Sequence, residues 1–252
     1  MESKCKFLTL RIILVLALIL CSNAFAYTCY SSHCEDIRIG LGAHHSKTYD
    51  TGVYLSGYAG GHWDKLYIAG GVNIGQVNPT FAPTIDSNKQ NYNSLLASAY
   101  AHIGAKLGGE NPLFLYVETK IERYSIGENT TFSANQLFMG AYIANHAKIS
   151  SGIMLEIGLG ISPSIVRYYT SQNADKNSIS QRNNIDGSYR IDTFIGIRFK
   201  RGDEYSKKSD IYVRAMGIFY HNKIYNTPIT LPPRNDYALM LECGISLENL
   251  LS

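Results

Sequence analysis

The stretch "GSYRIDTFIGIRFK", residues 187–200, alternates between two kinds of side chain. Apolar and aromatic residues dominate one set of alternate positions, and the other set includes Arg190, Asp192, Arg198 and Lys200. A period of two residues is typical of an extended strand whose two faces meet different surroundings. A soluble sheet would bury the apolar face, whereas a membrane barrel would turn that face toward lipid and the charged face toward its lumen.

The first residues of the chain have the three-part layout of a secretory signal peptide. Basic residues precede an apolar run from Ile12 to Leu20, and a small-x-small cleavage site ends at Ala26. The apolar run is too short to cross a bilayer as a helix, which argues against the alternative of an uncleaved anchor. We therefore predict that residues 1–26 are a signal peptide and that residues 27–252 form one exported domain.

The charge balance excludes one class of partner. The chain carries 23 Lys and Arg residues against 20 Asp and Glu residues, a formal net charge of +3, and the signal peptide accounts for part of that excess. A chain this close to neutral offers no electrostatic case for binding nucleic acid. The sequence also contains no GxGxxG, P-loop, CxxC or HExxH motif, so we expect no cofactor.

Two cysteines stand close together near the start of the exported domain. Cys29 and Cys34 are five residues apart, and an exported chain meets an oxidising compartment, so they are a candidate disulfide. The alternative is a metal site that uses His33, but no fourth ligand lies nearby in the sequence. We favour a disulfide or two free thiols, and we predict no metal site.

The same alternation recurs along the rest of the exported domain and predicts ten strands and no helix. These strands are longer than those of most globular proteins, and a membrane-crossing strand needs about 9 to 11 residues. Strand length therefore favours a membrane barrel over a soluble sandwich. The ten segments are 35–45, 51–61, 65–77, 92–107, 112–125, 135–147, 151–162, 187–200, 209–221 and 236–246.

The connections between these strands differ in length at the two ends. The connections at 60–64, 108–111, 148–150 and 201–208 form the shorter set. Longer polar loops are predicted at 78–91, 169–186 and 222–234, although other connections at that second end are also short. Short turns on one side and longer loops on the other are typical of outer-membrane barrels. This layout places both chain termini on the periplasmic side and the longer loops outside the cell.

The second face of the strands combines charged residues with glycines, which suits a narrow lumen. Aromatic residues gather near the strand ends, as interfacial girdles require. In its leader, its alternation and its loop asymmetry, the chain resembles the small outer-membrane β-barrel proteins of Gram-negative bacteria. A soluble barrel with the apolar face inside is the alternative.

The resemblance implies an all-β fold, an antiparallel up-and-down transmembrane β-barrel of about ten strands in the cell outer membrane. It also implies three kinds of partner: outer-membrane lipid with lipopolysaccharide, the barrel assembly machinery, and host surface molecules as a further candidate. One departure stands out, because such proteins commonly end on an aromatic residue and this chain ends "SLENLLS", residues 246–252.

Five residues on the second face are predicted to form a lumen charge network. If the loops join their strands in simple register, Arg214 lies opposite Glu242, and barrel closure brings Arg38 beside Glu242. A similar register brings Glu156 near Arg198. Because buried charges are tolerated only when they are paired, this network would plug the lumen.

We predict a structural or surface-interaction protein whose loops face the outside. One alternative is a hydrolase at the outer rim, of the protease or lipid A deacylase type, since ten-stranded outer-membrane proteases resemble this layout and pair acidic residues with an Asp–His couple. A second alternative is a narrow channel, although side chains fill most of a ten-stranded lumen. The candidate hydrolase residues are His44, His45, Ser46, Asp50, Asp86, Asp186, His221 and Asp236.

Overall fold

The computed structural model describes residues 33–79, 94–108, 111–126, 132–150, 152–172, 178–200, 210–223 and 234–248. These stretches form eleven strands, and they contain no helix of the length and hydropathy that would cross a membrane. The strands are β1 His33–Ser46, β2 Tyr49–Trp63, β3 Leu66–Pro79, β4 Ser94–Leu107, β5 Leu113–Ile126, β6 Phe132–Ser150, β7 Ile153–Gln172, β8 Ser178–Asn184, β9 Tyr189–Phe199, β10 Asp210–His221 and β11 Asn235–Glu248.

Ten of the strands close into a barrel. Each pairs antiparallel with its neighbours along the chain, and β1 pairs with β11 to complete the ring. The exception is β8, which pairs only with the far end of β7, while β9 continues the wall beside β7. The predicted antiparallel barrel of ten strands is confirmed. The sequence predicts that the end where β1 begins and β11 ends faces the periplasm, and we name it the periplasmic end after that prediction and the opposite end the outer end.

The apolar face of the wall points outward. Ile39, Leu55 and Ile103 are 57%, 62% and 60% exposed, whereas the lumen-facing Arg38 and Glu156 are 4% and 1% exposed. The same division holds in the stretch 187–200. An apolar exterior around a charged interior is the arrangement of a membrane barrel and the reverse of a soluble one, which answers the question that the alternation raises.

The prediction of a loop at 169–186 is wrong in part. β7 continues to Gln172, and β8 returns along it as a hairpin in which Tyr168 lies opposite Arg182. This hairpin extends past the membrane belt, so neither of its faces needs to be apolar. Because the hairpin is polar, its sequence predicts a loop, although its backbone forms two strands.

A bulge changes which side chains of β7 face the lumen. The register between β6 and β7 shifts where Leu137 and Phe138 meet Val166 and Ser164, which leaves Ile165 as an extra residue. Because an extra residue reverses the alternation, Ser164 and Arg167 both point inward.

The lumen glycines make room for aromatic rings on neighbouring strands. A Cβ atom added at Gly42 would lie 2.2 Å from Cζ of Tyr54, and one added at Gly160 would lie 2.0 Å from Cδ1 of Tyr142. Rings that lie across glycines fill the space that side chains would otherwise occupy. The small residues on the second face are therefore matched to large ones beside them.

Several sequence predictions fall on other parts of the chain. The predicted signal peptide, residues 1–26, and Cys29 lie outside the described residues. Cys34 is disulfide-bonded, and its pairing with Cys29 stays a prediction. Cys243 is a free thiol.

Candidate functional site

Glu156 on β7 is the centre of an ion cluster that crosses the lumen near the periplasmic end. Its carboxylate accepts hydrogen bonds from Nη1 and Nη2 of Arg38, both at 2.8 Å, from Nη2 of Arg198 at 2.8 Å and from Nη2 of Arg214 at 3.0 Å. Arg38 stands on β1, which is four strands from β7 by the shorter way round the wall. The contact therefore crosses the lumen instead of following the sheet.

Asp36 is a second acceptor for two of the same arginines. It accepts hydrogen bonds from Nε of Arg38 at 2.7 Å, from Nη2 of Arg198 at 2.9 Å and from the hydroxyl of Ser246 at 2.6 Å. Each of these arginines thus bridges two carboxylates. Shared charge-assisted hydrogen bonds of this kind hold buried ions in fixed positions. We call Asp36, Arg38, Glu156, Arg198 and Arg214 the lower cluster.

Glu242 stands beside the lower cluster with different partners. The register places Arg214 opposite Glu242, as the sequence predicts. The carboxylate, however, accepts hydrogen bonds from the hydroxyls of Tyr212 at 2.7 Å and Tyr54 at 3.2 Å. Arg214 instead reaches across to Glu156.

The predicted contact between Arg38 and Glu242 is corrected by the closure register. β1 and β11 pair so that Gly42 lies opposite Glu242, and Arg38 lies opposite Ser246, four residues further along. The offset sends Arg38 across the lumen to Glu156. The sequence does not reveal the offset between the first and last strands, so the prediction paired Arg38 with the wrong residue of β11.

Arg190 on β9 organises a second group of charges nearer the outer end. It forms ion pairs with Glu122 on β5 at 2.5 Å and with Asp192 on its own strand. Lys120 lies 3.3 Å from Glu122, and the hydroxyl of Tyr220 donates to Glu122 at 3.2 Å. We call these five residues the middle cluster. Alternation placed its four charged members on the second face, but it carried no information about pairing across the lumen.

Arg167 ties together the elements of the outer rim. Its guanidinium lies 2.9 Å from Asp186, donates to the hydroxyl of Ser188 at 2.5 Å and to the carbonyl of Lys223 at 3.2 Å, and also contacts the hydroxyl of Tyr169. Strict alternation from Glu156 would turn Arg167 outward, and the bulge at Ile165 reverses it. This residue was therefore missed by sequence reasoning.

Asp186 has an altered acidity in this rim network. Burial alone would raise its pKa, but hydrogen bonds from Ser188 and the charge of Arg167 hold the pKa of the carboxyl below its ordinary value. The network is therefore assembled with Asp186 ionised.

A stack of aromatic rings lines the lumen between the two clusters of charges. His102 lies between Tyr100 and Tyr116, with ring centroids 4.9 Å and 4.5 Å away, and Tyr116 stacks on Tyr142 at 5.4 Å. Nε2 of His102 lies 2.8 Å from the carboxylate of Glu118. Beside this stack is a cavity of about 120 Å³.

A second cavity of about 70 Å³ lies at the outer end of the lumen. His44, Asp236, Tyr220 and Asn222 are among the side chains that line it. The lumen thus contains the lower cluster near the periplasmic end and two cavities above it, whose walls include charged residues of the middle cluster.

The candidate residues of a rim hydrolase do not form an Asp–His couple in the described part of the chain. His221 faces outward, stacks on Tyr189 at 5.0 Å and has Nδ1 2.9 Å from the side-chain oxygen of Asn235. Asp236 is buried on the lumen side. His44 also faces the lumen, but its buried Nδ1 has no hydrogen-bond partner among the described residues.

Of the remaining hydrolase candidates, Ser46 shares the lumen face with His44, and both line the outer cavity together with Asp236. His45 is exposed. Asp186 is engaged by Arg167. Asp86 lies outside the described residues, and so does the side chain of Asp50.

The solved structures that match the chain include several outer-membrane proteins. The outer membrane protease OmpT from Escherichia coli matches with a TM-score of 0.53 and 12% identity, over 86% of this chain and 96% of that chain. A major outer membrane protein from Thermus thermophilus has a TM-score of 0.38 and 13% identity, over 85% and 99%. The attachment invasion locus protein Ail of Yersinia pestis has a TM-score of 0.29 and 12% identity, over 85% and 99%.

No protein-family model and no curated protein matches the chain. The match to OmpT at this low identity speaks for the fold alone. The closed ten-stranded barrel with an apolar exterior is the fold of outer-membrane β-barrel proteins, in agreement with the predicted location in the cell outer membrane.

Proposed function

We propose that this protein is a plugged outer-membrane barrel that acts through surfaces exposed outside the cell. The observation that carries the proposal is the lower cluster, in which Glu156 binds three arginines from other strands and spans the lumen. A lumen crossed by fixed ion pairs is unsuited to passage of solutes. The role then falls to the outer end, because rigid scaffolds concentrate recognition in the segments they present.

The hairpin of β7 and β8 is the described element best suited to recognition. Arg167 anchors its base by binding Asp186, Ser188 and the carbonyl of Lys223. An anchored hairpin loses less conformational freedom on binding than a free loop does. The predicted loops at 78–91 and 222–234, most of whose residues lie outside the described part, are proposed to act beside it.

Ile185, next to this hairpin, combines two unusual properties. Its side chain is 76% exposed, and its backbone has a φ of 42°, which is rare for a β-branched residue. Strained backbone is retained where surrounding structure enforces it, often at functional positions. Tyr168 on the neighbouring strand is also exposed. We propose that these two side chains contact a macromolecule outside the cell, with host surface molecules as the partner class.

Adherence of intact cells tests this proposal. A non-adherent Gram-negative strain that displays the full chain should bind a cultured cell monolayer, and a Tyr168→Ser, Ile185→Ser double variant should lose most of that binding. Ile149→Ser is the matched control, because Ile149 is 63% exposed at the periplasmic end. Equal adherence of all three strains, with heat-modifiable gel mobility showing folded barrels, would overturn the proposal.

Two further proposed partners come from the fold class and need a separate test. Lipopolysaccharide and the barrel assembly machinery are proposed partners on the strength of the fold class alone. Crosslinkers placed on the apolar exterior should capture lipopolysaccharide, and crosslinkers placed on lumen positions should not. That result would support lipopolysaccharide as a partner.

A further inference from the structure

The lumen holds two adjoining cavities, the inner one beside the lower cluster, with Arg38 and Arg214 in its walls, and the other at the outer end. The cavity beside the aromatic stack, about 120 Å³, and the outer cavity, about 70 Å³, share Asn73, Lys120, Ile218 and Met240 in their walls. A cavity needs roughly 10 to 15 Å³ to hold one water molecule. Both cavities are several times larger than that, so each has room for a small polar group. We call the two cavities together the upper lumen.

Two carboxylates of the upper lumen have no lysine or arginine partner. Glu122 and Asp192 form salt bridges with Arg190 in the middle cluster. Glu118 and Asp236 form none with a lysine or arginine anywhere in the described part of the chain. Glu118 is 7% exposed and Asp236 is 5% exposed, so water screens neither charge well.

Glu118 keeps one oxygen unused. Its Oε2 lies 2.8 Å from Nε2 of His102, while its buried Oε1 has no hydrogen-bond partner among the described residues. The rings of Tyr100 and Tyr116 stand on either side of His102 beside the same cavity. Aromatic faces attract cations in addition to the carboxylate.

Asp236, at the outer cavity, also has few hydrogen-bond partners in the described structure. Its one hydrogen bond in the described structure comes from the backbone N–H of Tyr237, at 2.8 Å to Oδ1. His44 lines the same cavity, is 6% exposed and has a buried Nδ1 without a hydrogen-bond partner in the described part of the chain. A carboxylate and a neutral imidazole nitrogen are both acceptors, so the cavity favours a ligand that donates hydrogen bonds.

From these observations we infer that the upper lumen binds the primary ammonium group of an amine that enters from outside. Four cationic side chains also line the inner cavity, but each is paired with a carboxylate other than Glu118: Arg38 and Arg214 with Glu156, and Lys120 and Arg190 with Glu122. A buried carboxylate that no lysine or arginine contacts is costly, and a bound cation offsets that cost. An ammonium group carries three N–H donors and a single positive charge, which suits carboxylate oxygens, an imidazole nitrogen and aromatic faces. A metal ion is a poorer match, because no group of three His, Cys, Asp or Glu side chains in the described residues is arranged to hold one.

Entry from outside follows from the lower cluster, which closes the periplasmic half. The ammonium group has two possible sources, a free small amine or a lysine side chain of a peptide. The inference does not depend on the proposed role of the β7–β8 hairpin, since none of its residues is used here.

Calorimetry on the full chain folded in lipid nanodiscs tests the inference. The probes are n-butylammonium for a free amine and a capped lysine peptide for a side chain, with tetramethylammonium as a cation that has no N–H donor. We expect saturable binding of at least one primary-amine probe and none of tetramethylammonium. Binding of butylammonium alone supports the free amine, and binding of the peptide alone supports the side chain.

Variants then locate the site. Asp236→Asn and Glu118→Gln should each weaken binding about tenfold or more, the loss of one charge-assisted contact. Asp64→Asn, the same charge change in an exposed periplasmic turn, should leave it unchanged. The inference is overturned if no primary amine binds the parent protein, or if affinity is unaltered in both lumen variants. Heat-modifiable gel mobility identifies folded variants, and two separate lumen positions keep the test available if one variant fails to fold.

Discussion

The periplasmic and outer halves of the lumen differ in how completely their buried carboxylates are paired with lysine or arginine. In the lower cluster one carboxylate, Glu156, binds three arginines, and two of these also bind Asp36. In the upper lumen, cavities remain, and Glu118 and Asp236 lack a lysine or arginine partner in the described structure. The difference separates a half that is built to stay closed from a half that is able to receive a ligand.

Loss of Glu156 should give the largest effect. Glu156→Ala leaves three buried guanidinium groups short of an acceptor, and breaking a buried ion pair costs about 3 to 5 kcal/mol. Urea unfolding of the purified barrel in detergent measures the change. Lys65→Ala, at an exposed turn, is the control and should shift stability by less than about 0.5 kcal/mol. Equal stability of the two variants would mean that the lower cluster is a wet lining and not a fixed plug.

A methyl group at Gly160 should produce the next largest effect. The new Cβ would lie 2.0 Å from Tyr142 Cδ1, and overpacking of this kind costs about 1 to 3 kcal/mol. Gly57→Ala is the matched control, because its Cβ would meet only Val72 Cγ2 at 3.7 Å. The same urea series compares them, and indistinguishable unfolding midpoints would contradict the packing of rings on glycines.

The same substitution at two buried aspartates, one in each half of the lumen, compares how much each carboxylate contributes to stability. Asp36→Asn removes a carboxylate that binds two arginines and should destabilise the barrel by several kcal/mol. Asp236→Asn removes a carboxylate that has no described cationic partner and should change stability by less than about 1 kcal/mol, or raise it. A larger loss from Asp236→Asn than from Asp36→Asn would reverse the assignment of closed and receptive halves.

Acid should loosen the rim network slightly and selectively. The folded-state pKa of Asp186 is lowered, so its contribution to stability is present above the unfolded value of about 3.9 and is lost as pH falls through the lower folded value. The protection factor of the Ser188 amide, which donates to Asp186 at 2.8 Å, should therefore fall below about pH 4. In Asp186→Asn the acid-dependent step should vanish, and its persistence would assign the effect to another group.

The wall of the barrel was predictable from sequence because lipid imposes a period of two on every crossing strand. That pattern predicted all ten strands and the inward side of Arg38, Glu156, Arg198 and Arg214. It also gave the register of Arg214 against Glu242, since a hairpin loop relates two strands directly.

Contacts across the lumen were not predictable in the same way. The offset between β1 and β11 is set by the barrel as a whole, so Arg38 met Glu156 and not Glu242. The bulge at Ile165 has no sequence signature of its own, and it hid Arg167. The polar β8 hairpin lies beyond the lipid belt, where alternation of hydrophobicity is no longer required.

Conductance in planar lipid bilayers tests the central claim most directly. The parent protein, inserted at single-molecule density, should show no steady open level, because the lower cluster crosses its lumen. Glu156→Ala, if it inserts, should show larger or more frequent openings than the Lys65→Ala control. A steady large conductance from the parent protein would contradict the plugged barrel.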